Sequence, residues 1–144
     1  MTNNTNPITI TTTVNASIDK VWEFWTEPKH ILGWNAASDD WHTTKAENDL
    51  KIGGKFSSRM EAKDGSFGFD FGGLYTNVVK NEQIDYKLDD DRKVSILFEE
   101  SGHGVRITET FDPEGENPVE MQRDGWQAIL DNFKKYTEND QEIR

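Results

Sequence analysis

Cysteine is missing from all 144 residues. Its absence removes disulfides, a thiolate nucleophile and any zinc or iron–sulfur site built on thiolates, and it fits a reducing compartment. No apolar run approaches the length of a membrane span, and the opening MTNNTNP lacks the basic and apolar regions of a signal peptide. A cytoplasmic protein without membrane insertion is expected. Lys and Arg are scarce, 16 against 27 Asp and Glu, and nowhere clustered, so the net charge of −11 argues against nucleic acid as a partner. Phosphate-cradling glycine motifs are missing too, because Gly53-Gly54 and Gly72-Gly73 belong to strand-like runs. His30, His42 and His103 show no metal-binding spacing, and Asp39-Asp40 and Asp89-Asp90-Asp91 lack the pattern of a calcium loop. No serine sits in a nucleophile elbow. The sequence points to no cofactor, no metal and no catalytic set.

What the chain does have is aromatic side chains. Hydrophobic residues make up only 33%, but 8 Phe, 5 Trp and 3 Tyr concentrate apolar area in few positions. A chain of this length can bury about two-thirds of the surface its unfolded form exposes, enough for one real core.

The patterning predicts one domain over residues 8–138, with flexible tails at 1–7 and 139–144. Ile8, Ile10, Thr12 and Val14 alternate with threonines as in a half-buried strand. A helix follows, capped by Ser17, with Val21, Trp22 and Trp25 as its apolar stripe, and Pro28 opens a second short helix carrying Ile31, Leu32 and Trp34. Six strand-like runs come next, at 41–47, 54–63, 67–80, 83–88, 92–100 and 104–111, separated by hairpin turns. Within 67–80, Phe67, Phe69 and Phe71 share one face, Asp70 points to solvent, and Gly72-Gly73 marks a bulge or bend. The last element is a long helix with Asn117 as N-cap, Pro118 at N1 and Glu120 at N3, running to about Tyr136. Inside it, Gly125 costs about 1 kcal/mol relative to Ala, which hints at a close approach.

Helices segregated from an antiparallel sheet define the α+β class. A twisted sheet of about seven strands curls, and a straight helix across its concave face cannot touch it everywhere, so space is left between them.

The order of these elements and several local motifs carry a resemblance. The motifs are Val21-Trp22 with Thr26, Pro28 and Trp34; Gly53-Gly54-Lys55-Phe56; Gly73 with Tyr75; Ile84 with Tyr86; Thr108-Glu109-Thr110-Phe111; and Gly125-Trp126 followed by Ile129, Leu130 and Phe133. Over roughly residues 8–138 the chain resembles the SRPBCC (START/birch-pollen-allergen-like) helix-grip superfamily, and within it the family named after the activator of heat-shock protein 90 ATPase. The resemblance implies a cavity between sheet and C-terminal helix, used across the superfamily for lipids, sterols and polyketides. It carries over no catalytic residue, and it implies no single function, since members include carriers, cyclases and chaperone regulators. The eukaryotic activator resembles this chain only in its C-terminal half and has an additional N-terminal domain, so the family name is not read as this protein's role.

From strand phase and helix stripe, Phe56, Met60, Phe69, Phe71, Tyr86, Phe98, Trp126 and Phe133 are expected to converge between sheet and helix as core or as ligand-binding walls. Glu109 shares phase with Val105, Ile107 and Phe111, so its carboxyl points inward, where it must neutralise or find a cation such as Arg59 or Arg92. The leading expectation is an apolar or amphipathic small-molecule ligand, with Glu109 as polar contact, in a monomer or weak homodimer. The rivals are a protein-interaction module presenting Trp34 or Trp41 to a protein partner, and a cavity enzyme using Glu109 or a histidine.

Overall fold

A computed structural model describes residues 6–139. Strand β1 (Ile8–Val14) is followed by helices α1 (Ile18–Thr26) and α2 (Pro28–Trp34). Six further strands come next: β2 (Trp41–Asn48), β3 (Lys55–Ala62), β4 (Gly68–Val79), β5 (Gln83–Leu88), β6 (Lys93–Ser101) and β7 (Gly104–Phe111). Helix α3 (Val119–Asn139) closes the order. The strands form one antiparallel sheet in the order β1-β7-β6-β5-β4-β3-β2. Hairpins link each strand from β2 to β7 to the next, and β1 returns to pair with β7. The result is a curled α+β half-barrel of helix-grip type.

Alternation does the local work. In β1 the inward side chains Ile8, Ile10 and Val14 are buried while Thr9, Thr11 and Thr13 face out, and β7 buries Val105, Ile107, Glu109 and Phe111 in the same period. In α1 the Ser17 hydroxyl accepts from the Lys20 N–H at 3.2 Å. Helix α1 buries Phe24 as well as Val21 and Trp22, and leaves the expected stripe residue Trp25 only half-buried.

Five expectations change. The long helix starts at Val119, one residue later than expected, because the Pro118 carbonyl already accepts from the Met121 and Gln122 N–H groups. Asn117 does not cap it; its amide donates to the Glu114 carboxylate, while Gln122 folds back to donate to the Glu114 and Asn117 carbonyls and to accept from the Glu114 N–H. The helix also extends past Tyr136 to Asn139, so position 139 is helical rather than part of a tail; the rest of the tail expected at 139–144, like residues 1–5 of the one expected at 1–7, lies outside the described residues.

Next, the irregularity in β4 sits not at Gly72-Gly73 but between Tyr75 and Asn77. The glycines instead let neighbouring strands come close: a Cβ on Gly72 would stand 2.7 Å from the Phe56 carbonyl oxygen, and one on Gly73 would collide with the carbonyl of Lys87. Finally, a Cβ on Gly125 would meet no atom within 4 Å, so no close approach accounts for that glycine. The close helix–helix approach is at Gly33 of α2, where a Cβ would run into the ring of Tyr136 on α3.

Candidate functional site

Helices touch the sheet mainly at its two edges. The backbone of α3 lies nearest β1, and that of α2 nearest β2. The concave face of the middle strands is thus covered by side chains alone, and these do not fill the space. A partly open hollow of about 230 Å³ remains.

Its floor comes from every second residue of adjacent strands. Phe56, Ser58 and Met60 project from β3, Phe69, Phe71 and Tyr75 from β4, and Ile84 and Tyr86 from β5. Trp25, Ile31, Trp34 and Asn35 close it from the α1–α2 side, and Trp126, Ile129 and Leu130 from α3. The rings pack against one another. Trp126 lies flat on Phe111, centroids 3.9 Å apart, and meets Phe71 edge-on at 6.1 Å; Phe56 meets Tyr86 edge-on at 4.7 Å.

Seven of the nine residues expected to converge border this hollow: Phe56, Met60, Phe69, Phe71, Tyr86, Glu109 and Trp126. The other two stand behind the wall. Phe98 packs against Trp22 at 5.4 Å and Trp25 at 5.7 Å, and Phe133 is clamped between Trp25 at 4.8 Å and Trp34 at 5.0 Å, so both are core residues that hold the tryptophans in position. Ser58 and Tyr75 were not expected among the walls, although each shares strand parity with a residue that was. Nothing local in the sequence distinguishes Trp25, Trp34 and Asn35, because their position depends on how α1 and α2 fold back over the sheet.

At the mouth the phenylalanine face of β4 emerges into solvent. Phe69 is 41% exposed and Phe67, just before the strand, 62%. Both rings lie about 6.0 Å from that of Trp41, making an aromatic rim. Trp34, in contrast, is buried, its indole N–H donating to the Phe24 carbonyl at 2.9 Å, so it presents no contact surface.

Among the described residues Glu109 is the one acidic side chain bordering the hollow. It is 6% exposed and pairs across the sheet with Ile10 of β1 and Ile96 of β6. Neither expected cation reaches it: Arg59 binds Glu61 at 3.0 Å and Asp70 at 3.6 Å on the outer face, and Arg92 binds Asp90 at 2.8 Å. No donor among the described residues hydrogen-bonds its carboxyl. Burial therefore pushes Glu109 up from the usual carboxylate range to about 8. Burial likewise raises the Tyr86 phenol, with Glu109 adding to the shift, and raises Tyr75, whose hydroxyl donates to the Asn48 side-chain oxygen.

The histidines lie elsewhere. His30 stacks on Phe24 at 3.8 Å and shares a 2.8 Å hydrogen bond with the Tyr136 hydroxyl. His42 borders a second, shallower and more polar groove of about 660 Å³ between α2, the 35–43 segment and α3. Among the described residues no cluster of three His, Asp or Glu could hold a metal ion, and no helix is long and apolar enough to cross a membrane.

Comparison with known proteins adds to this geometry. Residues 15–138 match the family model described as Activator of Hsp90 ATPase homolog 1-like protein. The solution structure of an AHSA1-like protein from Aeromonas hydrophila is 45% identical, with 92% of each chain covered and a TM-score of 0.87. A protein from Cytophaga hutchinsonii is 53% identical over 96% of each chain, with a TM-score of 0.81. At 22% identity, a Chromobacterium violaceum protein shares the fold, with a TM-score of 0.83 over 94% of this chain and 99% of its own. Among curated proteins the comparison finds no match.

Proposed function

The chain belongs to the family of Activator of Hsp90 ATPase homolog 1-like proteins, and from that premise we propose that it binds an apolar or amphipathic small molecule in the hollow between sheet and helices. One observation carries the reading: an aromatic-walled space of about 230 Å³ borders a buried carboxyl that no described donor reaches. A well-packed interior has few voids larger than a water molecule, and a ligand filling this one would take its apolar wall out of contact with water. The volume falls below the roughly 300–1,000 Å³ of common ligand pockets, which favours a one- or two-ring molecule over a sterol or a long lipid tail.

An amide NMR titration of the labelled protein against small aromatic and aliphatic compounds tests this. Saturable shifts grouped on Phe56, Phe71, Tyr86 and Trp126 are expected; a flat response across the panel would remove the binding reading. Phe71→Trp, which pushes a larger ring into the hollow, should weaken binding while the fold persists.

A second reading, a protein-contact surface, is favoured by the exposed rim of Trp41, Phe67 and Phe69. It predicts that Phe67→Ser abolishes association with a protein partner and leaves small-molecule titrations unchanged.

A further inference from the structure

We propose that the hollow is selective for an organic cation: a compact aromatic or branched aliphatic body carrying a protonated amine that docks on Glu109. This rests on the reading of the hollow as a ligand site.

Four observations point the same way. Among the described residues no lysine, arginine or histidine borders the hollow, so a ligand carboxylate or phosphate would find no counter-charge from them and would face Glu109. Glu109 is nine-tenths buried, borders the hollow, and lacks a donor among the described residues, so a ligand that brings its own N–H donors and positive charge makes the ion pair that Arg59 and Arg92 do not. Four of the side chains that border it, Tyr86, Phe56, Phe71 and Trp126, are aromatic, and the electron-rich face of such a ring attracts a desolvated ammonium. The net charge of −11 adds a long-range field that favours entry of cations over anions.

Proton linkage makes the inference specific. Empty, Glu109 holds its proton up to about pH 8, whereas an ammonium ligand requires the carboxylate. Binding below that pH therefore releases a proton, and affinity for an amine rises with pH until the amine itself deprotonates near 10, the range of a lysine side chain. The other titratable groups facing this region are Tyr86 of β5 and Tyr75 of β4, both held neutral by burial; Arg92 lies near Tyr86 and is engaged by Asp90. Helices α1, α2 and α3 contribute no ionisable side chain to the lining. A ligand that merely accepts a hydrogen bond from protonated Glu109 would show the opposite trend, weakening as pH rises.

Three probes sharing one naphthyl skeleton, an ethylamine, an ethanol and an acetate, should be titrated by calorimetry at pH 6.5 and 8.5, in two buffers of different ionisation enthalpy. The amine is expected to bind on the order of tenfold or more tighter than the alcohol at pH 8.5, a gap typical of a charge-assisted contact. It should also release a proton at pH 6.5, with the acetate weakest, and Glu109→Gln should erase the preference. Equal affinity for amine and alcohol, a tighter acetate, or amine binding without proton release in the wild-type protein would overturn the cation assignment and leave the hollow a neutral ligand site. Failure of all three probes and of the broader NMR panel would instead overturn the binding reading itself. Proton release is measured on the wild-type protein, so the test remains decisive even if the variant folds poorly.

Discussion

Glu109 opposes folding at neutral pH, and its position explains how much. An acid whose value is raised from about 4.5 to about 8 on folding keeps a proton that the unfolded chain has already released between those two pH values. The native state then binds more protons than the unfolded one, so stability is fullest below that window and falls as pH rises through it. The slope approaches about 1.4 kcal/mol per pH unit for one full proton, and Glu109→Gln removes it. Thermal melts from pH 5 to 8 should therefore show a wild-type decline that the variant lacks, with the variant the more stable at pH 8; superimposable profiles would mean that the carboxyl finds a partner in solution. The inward direction of Glu109 was legible from its phase with Ile107 and Phe111. That no cation reaches it was not, because Arg59 and Arg92 are captured by Glu61, Asp70 and Asp90, within two residues or across a strand pair.

At the scale of elements, two glycines that look alike in sequence should behave oppositely. Gly125 sits on a helix with open space beside its Cα, so Gly125→Ala is expected to stabilise the protein by about 1 kcal/mol through helix propensity alone. Gly73 lies between β3 and β5 with the Lys87 carbonyl where a Cβ would go, so Gly73→Ala should destabilise by roughly 1–3 kcal/mol, with the strands forced apart. Urea denaturation of both variants checks the pair. Strand limits followed the sequence to within one or two residues, because alternation and turn chemistry are local. The capping of α3 did not: Gln122, five residues beyond Asn117, takes over the carbonyls of Glu114 and Asn117, and sequence spacing does not tell which of several competing polar side chains wins.

For the whole molecule the division is between rings that border the hollow and rings that support it. Phe133 is fully buried and wedged between Trp25 and Trp34, so Phe133→Ala should cost about 3–5 kcal/mol and loosen the hollow's roof. Phe71 borders the hollow and is only half-buried, so Phe71→Ala should cost distinctly less in urea denaturation and enlarge the hollow; equal losses would indicate that the hollow closes in solution. Composition, charge and the two periodicities of strand and helix determined the α+β class, the order of elements and the inward direction of Phe56, Met60, Phe71, Tyr86 and Glu109, because each depends on residues close in the chain. Only the tertiary structure decided that α3 approaches the sheet at β1 and α2 at β2, which leaves the middle strands under side chains and a space beneath them. That placement also sends Phe98 and Phe133 behind Trp25 and sets Glu109 without a cation, since which ring fills a gap depends on contacts between segments as far apart in the chain as Trp25 and Phe133.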